Sequence, residues 1–421
     1  MFDYNKIGNS CVKCGKCIPK CTIHSINSDE TTSPRGFLDL LRACKNGDLK
    51  LDKNAKKIFE SCFLCTNCVE ICPNSLPVDQ SIENIRFEIA KKFGISWWKK
   101  VVFWFLSHRK ILDFCAKFGY VFQSCGFKIL QNQSMKPRFS LPIVNLKKER
   151  ILPSLAQKSF LNSHENFINN GGEKSVGIFI GCLSNYAYTS VGEALLKILK
   201  TLKINVNLMK DQSCCGAPQY FTGDFKSVEK LAKKNIVYFE EILKTCDAII
   251  IPEATCSAMI KIDYEHFFKN LDNDEFALRA KNISEKIFMA TEYFAKFTNL
   301  AEILENFGQN GENLTYHDAC HAKKMQGIFK EPRELLSKNY KIIEMEDSNQ
   351  CCGFGGVTMQ TQNYHLSRKA GIKKANMIKN LNTKIVSAEC SACKMQLNNV
   401  LNLIHCEQKC INPIELIAKN L

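Results

Sequence analysis

The stretch CCGAPQYFTGD at 214–224 returns in altered form as CCGFGGVTMQ at 351–360. Two neighbouring thiols are an awkward pair. A disulfide between them is strained, and free thiols side by side invite oxidation. Their repetition asks what occupies them.

Reading outward from each pair gives a duplication. In the first copy KSVGIFIGC reads as a strand running into Cys182, 31 residues precede Cys214-Cys215-Gly216, and 36 more lead to EATC, Glu253 to Cys256. In the second, NLTYHDAC runs into Cys320, 30 residues precede Cys351-Cys352-Gly353, and 36 more lead to CSAC, Cys390 to Cys393. In this register Glu253 stands where Cys390 does.

Hydrophobic periodicity predicts strands near 175–180, 204–209 and 247–252 in copy one, with helices near 187–201, 225–244 and 256–269. Copy two has predicted strands near 313–316, 341–345 and 384–388, with helices near 363–379 and 391–402. Short apolar strands alternating with amphipathic helices imply a small α/β domain with a mostly parallel sheet, repeated once. The cysteines fall just beyond strand ends, where open α/β sheets bind ligands.

A second cysteine-rich region lies upstream. CVKCGKCIPKC at 11–21 and CFLCTNCVEICP at 62–73 share the spacing C-x2-C-x2-C-x3-C. This is the run of bacterial-type ferredoxins, in which the fourth cysteine of each run reaches the other cluster. Cys11, Cys14, Cys17 and Cys72 are therefore assigned to one [4Fe–4S] cluster, and Cys62, Cys65, Cys68 and Cys21 to a second. Zinc is the competing metal, but it would leave a third cysteine per run without work. The first run departs from the usual pattern: Thr22 stands where proline is expected, and Pro19 sits inside it. Between the runs, SPRGFLDLLRACKNG reads as a helix over 37–44, opened by a Ser-Pro turn and ended near Gly47. Cys44 within it reads as a packed thiol.

Composition agrees with metal or redox use of these thiols. The chain has 421 residues, 23 of them cysteine, and a formal charge of +15. Its opening, MFDYNKIGNS, has neither the basic nor the apolar region of a secretory signal, so a cytoplasmic location is expected and a disulfide framework is not. A place at the inner face of the membrane stays open. No nucleic-acid motif appears, and no G-x-G-x-x-G follows a predicted strand, so no flavin or nicotinamide site is expected.

Residues 95–131 include ISWWKKVVFWFLSHRK and are rich in Trp, Phe, Lys and Arg. No window is long and apolar enough to span a bilayer. The segment can pack domains together, meet a partner, or lie on a membrane surface. Cys115 and Cys125 within it read as structural, as do His405, Cys406 and Cys410 near the end. Turn signals from 132 to 172 suggest a linker.

The pattern C-x(30–39)-C-C-G-x(35–37)-C-x-x-C, with DQSCCGAPQYFTGD and YHDACHAKK, resembles the cysteine-rich CCG domain. Two ferredoxin runs followed by two such repeats resemble the iron–sulfur subunits of the glycolate oxidase and anaerobic glycerol-3-phosphate dehydrogenase C type, over nearly the whole chain. The resemblance implies a helical ferredoxin-like domain at 1–90, a connector at 91–172, and CCG domains at 173–305 and 306–421. It implies that Cys320, Cys351, Cys352, Cys390 and Cys393 hold a further [4Fe–4S] cluster, of the non-cubane kind. Cys182, Cys214, Cys215 and Cys256 form a shorter set, because Glu253 replaces its fifth cysteine; a cluster there stays open. Gly216 and Gly353 would let the backbone bend around a bulky cluster. His317, Asp318 and His321 either tune a cluster by hydrogen bonding or cap the segment after Cys320.

The implied function is electron transfer. An FAD-containing dehydrogenase subunit would oxidise a 2-hydroxy acid or glycerol 3-phosphate, and this chain would relay electrons towards a quinone. The alternative, drawn from heterodisulfide reductases, makes the CCG half a catalyst of disulfide cleavage. A third reading uses zinc or bare thiols for binding.

Overall fold

The computed structural model describes residues 3–130, 133–142 and 145–421. Its N-terminal part is helical. Ser33 caps the helix Pro34–Asn46 by accepting from the Gly36 N–H at 2.9 Å, Pro34 takes the first turn where its missing N–H costs nothing, and Gly47 ends the helix at φ +84°. Phe37, Leu38 and Leu41 lie on one face of it and pack on Phe59 and on Ile82, Ile85 and Ile89 of the helix Val78–Phe93. The two cysteine runs form the loops around this core.

Helix Val78–Phe93 also ties this region to the rest of the chain. Buried Arg86 donates to the Cys62 carbonyl at 2.7 Å and to the Phe221 carbonyl at 3.0 Å. Gly223 makes that approach possible, because a Cβ there would stand 2.3 Å from the Arg86 carbonyl oxygen.

The connector is two helices, Trp97–Ser107 and Arg109–Gly126, broken at His108. The first buries Phe103 and Lys99, whose ammonium donates to Thr358 at 2.9 Å and Gln362 at 3.1 Å. The second buries no residue and meets the first repeat through polar contacts, with Arg109 donating to the Lys210 carbonyl at 2.6 Å and Asp113 accepting from the Tyr186 hydroxyl at 2.7 Å. A small antiparallel sheet follows, with β1 (Phe127–Leu130), β2 (Ser134–Pro137) and β3 (Leu152–Pro153) in that order. The expected linker thus contains β2 and β3; positions 131, 132, 143 and 144 lie outside the described residues.

Two open sheets make up the remainder. The first holds β4 (Phe167–Ile168), β5 (Ser175–Ile178), β6 (Asn205–Leu208), β7 (Ala248–Ile251) and β8 (Ile287–Met289), ordered β4-β6-β5-β7-β8 and parallel except for β4. The second holds β9 (Asn313–Tyr316), β10 (Lys341–Ile342), β11 (Ile385–Ser387) and β12 (Lys409–Ile411), ordered β10-β9-β11-β12 and wholly parallel. With β4 set aside the two orders correspond strand for strand, so the repeat seen in the cysteines is a repeat of topology. Strand β7, Ala-Ile-Ile-Ile, is buried throughout, as parallel strands covered on both faces must be. Predicted strand 341–345 shrinks to two residues at the sheet edge. Predicted helix 256–269 is interrupted by a π turn at Met259–Asp263.

The two sheets are not separate bodies. Ile178, Leu199 and Val206 of the first repeat share one core with Leu314, Leu335 and Ile417 of the second. No helix among the described residues is long and apolar enough to cross a membrane.

Candidate metal centres

The two cysteine runs take the same backbone path. Lys13 and Leu64, at equivalent positions, both have positive φ (53° and 51°), as do Gly15 and Thr66 (76° and 55°). Left-handed residues alternating with cysteines curl each loop so that its thiols converge. Cys11, Cys14, Cys17 and Cys72 line one small cavity, and Cys21, Cys62, Cys65 and Cys68 line another. The fourth cysteine of each run has crossed to the other set. The first set lies near the surface, with Cys14 exposed and Val12 beside it 68% exposed. The second is deeper, and burial pushes the Cys62 thiol up to about 12. Thr22, standing where proline was expected, turns its hydroxyl to the Cys65 sulfur at 3.3 Å.

In the repeats every cysteine of the pattern sits at the C-terminal end of a parallel strand or at the start of the helix after it. Cys182 opens Cys182–Tyr186 beyond β5, and Cys320 opens Cys320–Gln326 beyond β9. The Cys-Cys-Gly loops follow β6 and β10. Cys256 lies in the first turn of Ala254–Ala258 beyond β7, while Cys390 and Cys393 flank the start of Ser391–Leu403 beyond β11. All nine line a single cavity of about 200 Å³ between the repeats, which Phe63 and Leu64 of the second cysteine run also line.

The adjacent cysteines are free thiols. Gly216 (φ +87°) and Gly353 (φ +85°) turn the chain sharply after each pair, and their N–H groups point back at Cys214 Sγ (3.5 Å) and Cys351 Sγ (3.4 Å). A side chain at 353 would stand 2.7 Å from the Gly371 nitrogen. Cys352 and Cys393 sulfurs are 3.2 Å apart. Hydrogen bonds from Cys351 and Cys393 bring the Cys352 thiol down to about 6, and one from Cys393 does the same for Cys390. Burial pushes Cys320 up to about 12. Thiols this crowded and this buried suit metal ions, which hold them as thiolates. An all-sulfur donor set is the kind that iron–sulfur clusters take.

Glu253 lines the cavity, but its carboxylate is engaged elsewhere. One oxygen accepts from the hydroxyls of Ser184 and Ser391, and the other from the Ser391 N–H at 2.9 Å. Asp318 turns away from the cysteines into an ion pair with Arg333 (2.7 Å) and Lys323 (3.0 Å) and a hydrogen bond from Ser348. His321 Nδ1 lies 3.4 Å from both Cys320 Sγ and Thr255 Oγ1. His317 is buried beside Cys352 and Cys393.

The remaining cysteines divide. Cys44 packs on the N-terminal core and Cys410 is buried in β12. Cys125 is exposed on a helix that buries nothing, so it is not a packing residue. Sequence reasoning missed Thr255, which reaches Cys390 Sγ at 3.4 Å, and Lys324, which donates to the Cys65 carbonyl at 3.0 Å and to Asn67. Thr255 meets its partner across the two repeats and Lys324 meets its partners in the N-terminal region, where local spacing carries no signal.

Comparison with known proteins agrees with this geometry. Residues 176–261 and 314–398 each match the cysteine-rich domain family CCG, and residues 10–75 match the 4Fe-4S double cluster binding domain. The chain is 28% identical over 360 residues to the probable glycolate oxidase iron-sulfur subunit of Bacillus subtilis, covering 83% of this chain and 79% of the relative. It is 27% identical over 399 residues to a fumarate reductase (CoM/CoB) subunit of Methanothermobacter marburgensis, 93% of this chain and 68% of that one. Lactate utilization protein A of Bacillus subtilis is 27% identical over 229 residues, 54% of this chain and 91% of the relative. With paired cysteine loops, a doubled sheet and these matches together, the chain carries two CCG cysteine-rich domains behind a 4Fe–4S double-cluster domain, the make-up of an iron–sulfur electron-transfer protein.

Proposed function

We propose that this chain is the iron–sulfur subunit of a flavin-dependent dehydrogenase. It would accept electrons that an FAD-containing partner takes from a 2-hydroxy acid such as glycolate or lactate, or from glycerol 3-phosphate, and relay them towards a quinone, acting in the cytoplasm at the inner face of the membrane. Cys11, Cys14, Cys17 and Cys72 hold one [4Fe–4S] cluster, and Cys21, Cys62, Cys65 and Cys68 a second. Cys320, Cys351, Cys352, Cys390 and Cys393 hold a third, non-cubane one. The set Cys182, Cys214, Cys215 and Cys256 can hold a fourth. Bound clusters supply one-electron carriers.

One observation carries this reading: Cys65 and Cys351 are packed in one buried core cluster, near enough for their thiols to interact. A cysteine of the buried ferredoxin set and one of the second CCG set therefore touch. With the surface set beyond, the thiols form a line from exposed Cys14 to the central cavity. The chain's own residues hold that line: Arg86 and Lys324 fix the spacing, and Phe63 and Leu64 keep it dry. Exposed Phe114, Phe118, Val121 and Phe122 on helix Arg109–Gly126 support docking of the dehydrogenase partner on that face.

Anaerobic purification from the native host tests the reading. A stoichiometric FAD protein with substrate-dependent dye reduction supports it. Cys352→Ser tests the ligand set: it should lose one cluster's EPR signal and leave two intact, and iron content and EPR equal to the parent's would refute the assignment.

A second reading rests on the single cavity lined by both CCG sets. Room between two thiol-rich walls suits a disulfide substrate, as in heterodisulfide reductases. Recovery of the chain alone, brown and flavin-free, with disulfide-reducing activity would establish it instead.

A further inference from the structure

His317 lies in the loop after β9, is 1% exposed, and leaves both ring nitrogens without a hydrogen-bond partner. Leaving a buried polar atom unsatisfied is costly, and most native cores avoid it. The ring is also not against an apolar wall. One of its nitrogens and the sulfurs of Cys352 and Cys393 all lie within 4.8 Å of one another. The nearby Ser348 carbonyl accepts instead from the Asp318 N–H at 3.0 Å and from Lys374 at 3.1 Å, which leaves the ring nitrogens free.

The other candidate polar groups around Cys320 are already spoken for. Asp318 is paired with Arg333 and Lys323, and His321 with Cys320 and Thr255. The equivalent of His317 in the first repeat, three residues before its first cysteine, is Phe179, which has no donor. The histidine therefore accompanies the complete cysteine set and is missing where Glu253 replaces the fifth cysteine.

We propose that His317 supplies a nitrogen ligand to the iron centre of the second CCG set, giving that centre mixed sulfur and nitrogen donors. The inference rests on the reading that this set binds a cluster. A neutral imidazole nitrogen adds no negative charge to the centre, and histidine ligation accompanies raised potentials in Rieske proteins. The centre at the inner end of the line is then the better electron acceptor, and transfer inward from the Cys65 side is favoured.

The test uses the cluster-loaded chain grown with 15N-histidine and pulsed EPR of its reduced centres. The expected result is a strongly hyperfine-coupled imidazole nitrogen on one cluster signal, lost in His317→Gln, kept in His321→Gln, with iron content unchanged in both. The midpoint potential of that centre should fall in His317→Gln. A cluster signal from the second CCG set with no imidazole coupling, or with coupling that survives His317→Gln or vanishes in His321→Gln, overturns the proposal and leaves the cluster reading standing. Should His317→Gln fail to fold, the labelled parent and His321→Gln decide by the same criteria. Iron content and EPR untouched by Cys352→Ser would instead overturn the cluster reading, and this inference with it.

Discussion

Glu253 of the first repeat accepts a 2.9 Å hydrogen bond from the backbone N–H of Ser391, the residue between Cys390 and Ala392 of the second. The carboxylate at the position of the missing cysteine thus braces the loop that carries the complete set, and is used as a hydrogen-bond acceptor. Glu253→Ala would strand the Ser391 N–H and hydroxyl and the Ser184 hydroxyl in a buried site. The expected cost is about 2–4 kcal/mol, read by anaerobic denaturation, with iron per chain unchanged in the folded protein. A cluster-sized loss of iron at unchanged stability would make Glu253 a ligand instead.

Lys324 reaches from helix Cys320–Gln326 to the carbonyls of Cys65 (3.0 Å) and Asn349 (3.1 Å), and to Asn67. With the 2.6 Å hydrogen bond from Asn349 to Glu70, it clasps the second cysteine run to the second repeat. Lys324→Met keeps the length of the stem and removes the ammonium. It should cost about 2–3 kcal/mol and slow reduction of the inner centre after rapid mixing with reductant, with the ferredoxin-type signals unaltered. Unchanged transfer and stability would show that the clasp does not set the contact.

Much of this arrangement was legible in the sequence, for a physical reason. Ligand spacing within a loop is a local constraint, so the crossed sets through Cys21 and Cys72 could be read from two short runs. The register that equates Glu253 with Cys390 likewise rests on equal chain lengths. The single cavity could not be read, because it depends on a core shared by Leu199, Leu314 and Ile417, distant in sequence. The role of Thr22 towards Cys65 was hidden for the same reason. Helix Arg109–Gly126 misleads differently: an apolar stripe looks alike whether or not anything covers it.

Glu389 makes stability depend on pH. Its carboxyl is buried against Thr291 and Tyr316, with one oxygen unpartnered, and burial pushes it up to about 7. The folded chain therefore keeps a proton that the unfolded chain, with an ordinary carboxyl, releases. Its contribution to stability is greatest below the ordinary carboxyl range, falls as pH rises towards 7, and levels off above it. The slope inside that window is roughly 1.4 kcal/mol per pH unit. Glu389→Gln should remove this share of the slope, leaving that of Asp263, whose carboxyl burial also raises to about 7, and gain most over the parent at about pH 8. Parallel profiles for parent and variant, measured by denaturation from about pH 5.5 to about pH 8, would show that the group is ionised in the fold.

The exposed face of helix Arg109–Gly126 is the last feature that demands an occupant. Phe114, Phe118 and Phe122 are 62%, 54% and 59% exposed and follow one another at successive turns, with ring centroids 5.0 and 6.2 Å apart. Scattered apolar residues need no explanation, whereas a contiguous aromatic stripe on a helix with no buried residue does. If this stripe is where the dehydrogenase subunit docks, Phe118→Glu together with Phe122→Glu should abolish co-purification of the flavoprotein. Iron content should hold, and stability should move by less than about 0.5 kcal/mol, because neither ring supports the core. A complex that survives both changes would remove the stripe from the interface. Loss of binding to anionic vesicles with the complex intact would instead make it a membrane-facing surface, a use that flanking Arg109, Lys110 and Lys117 would favour.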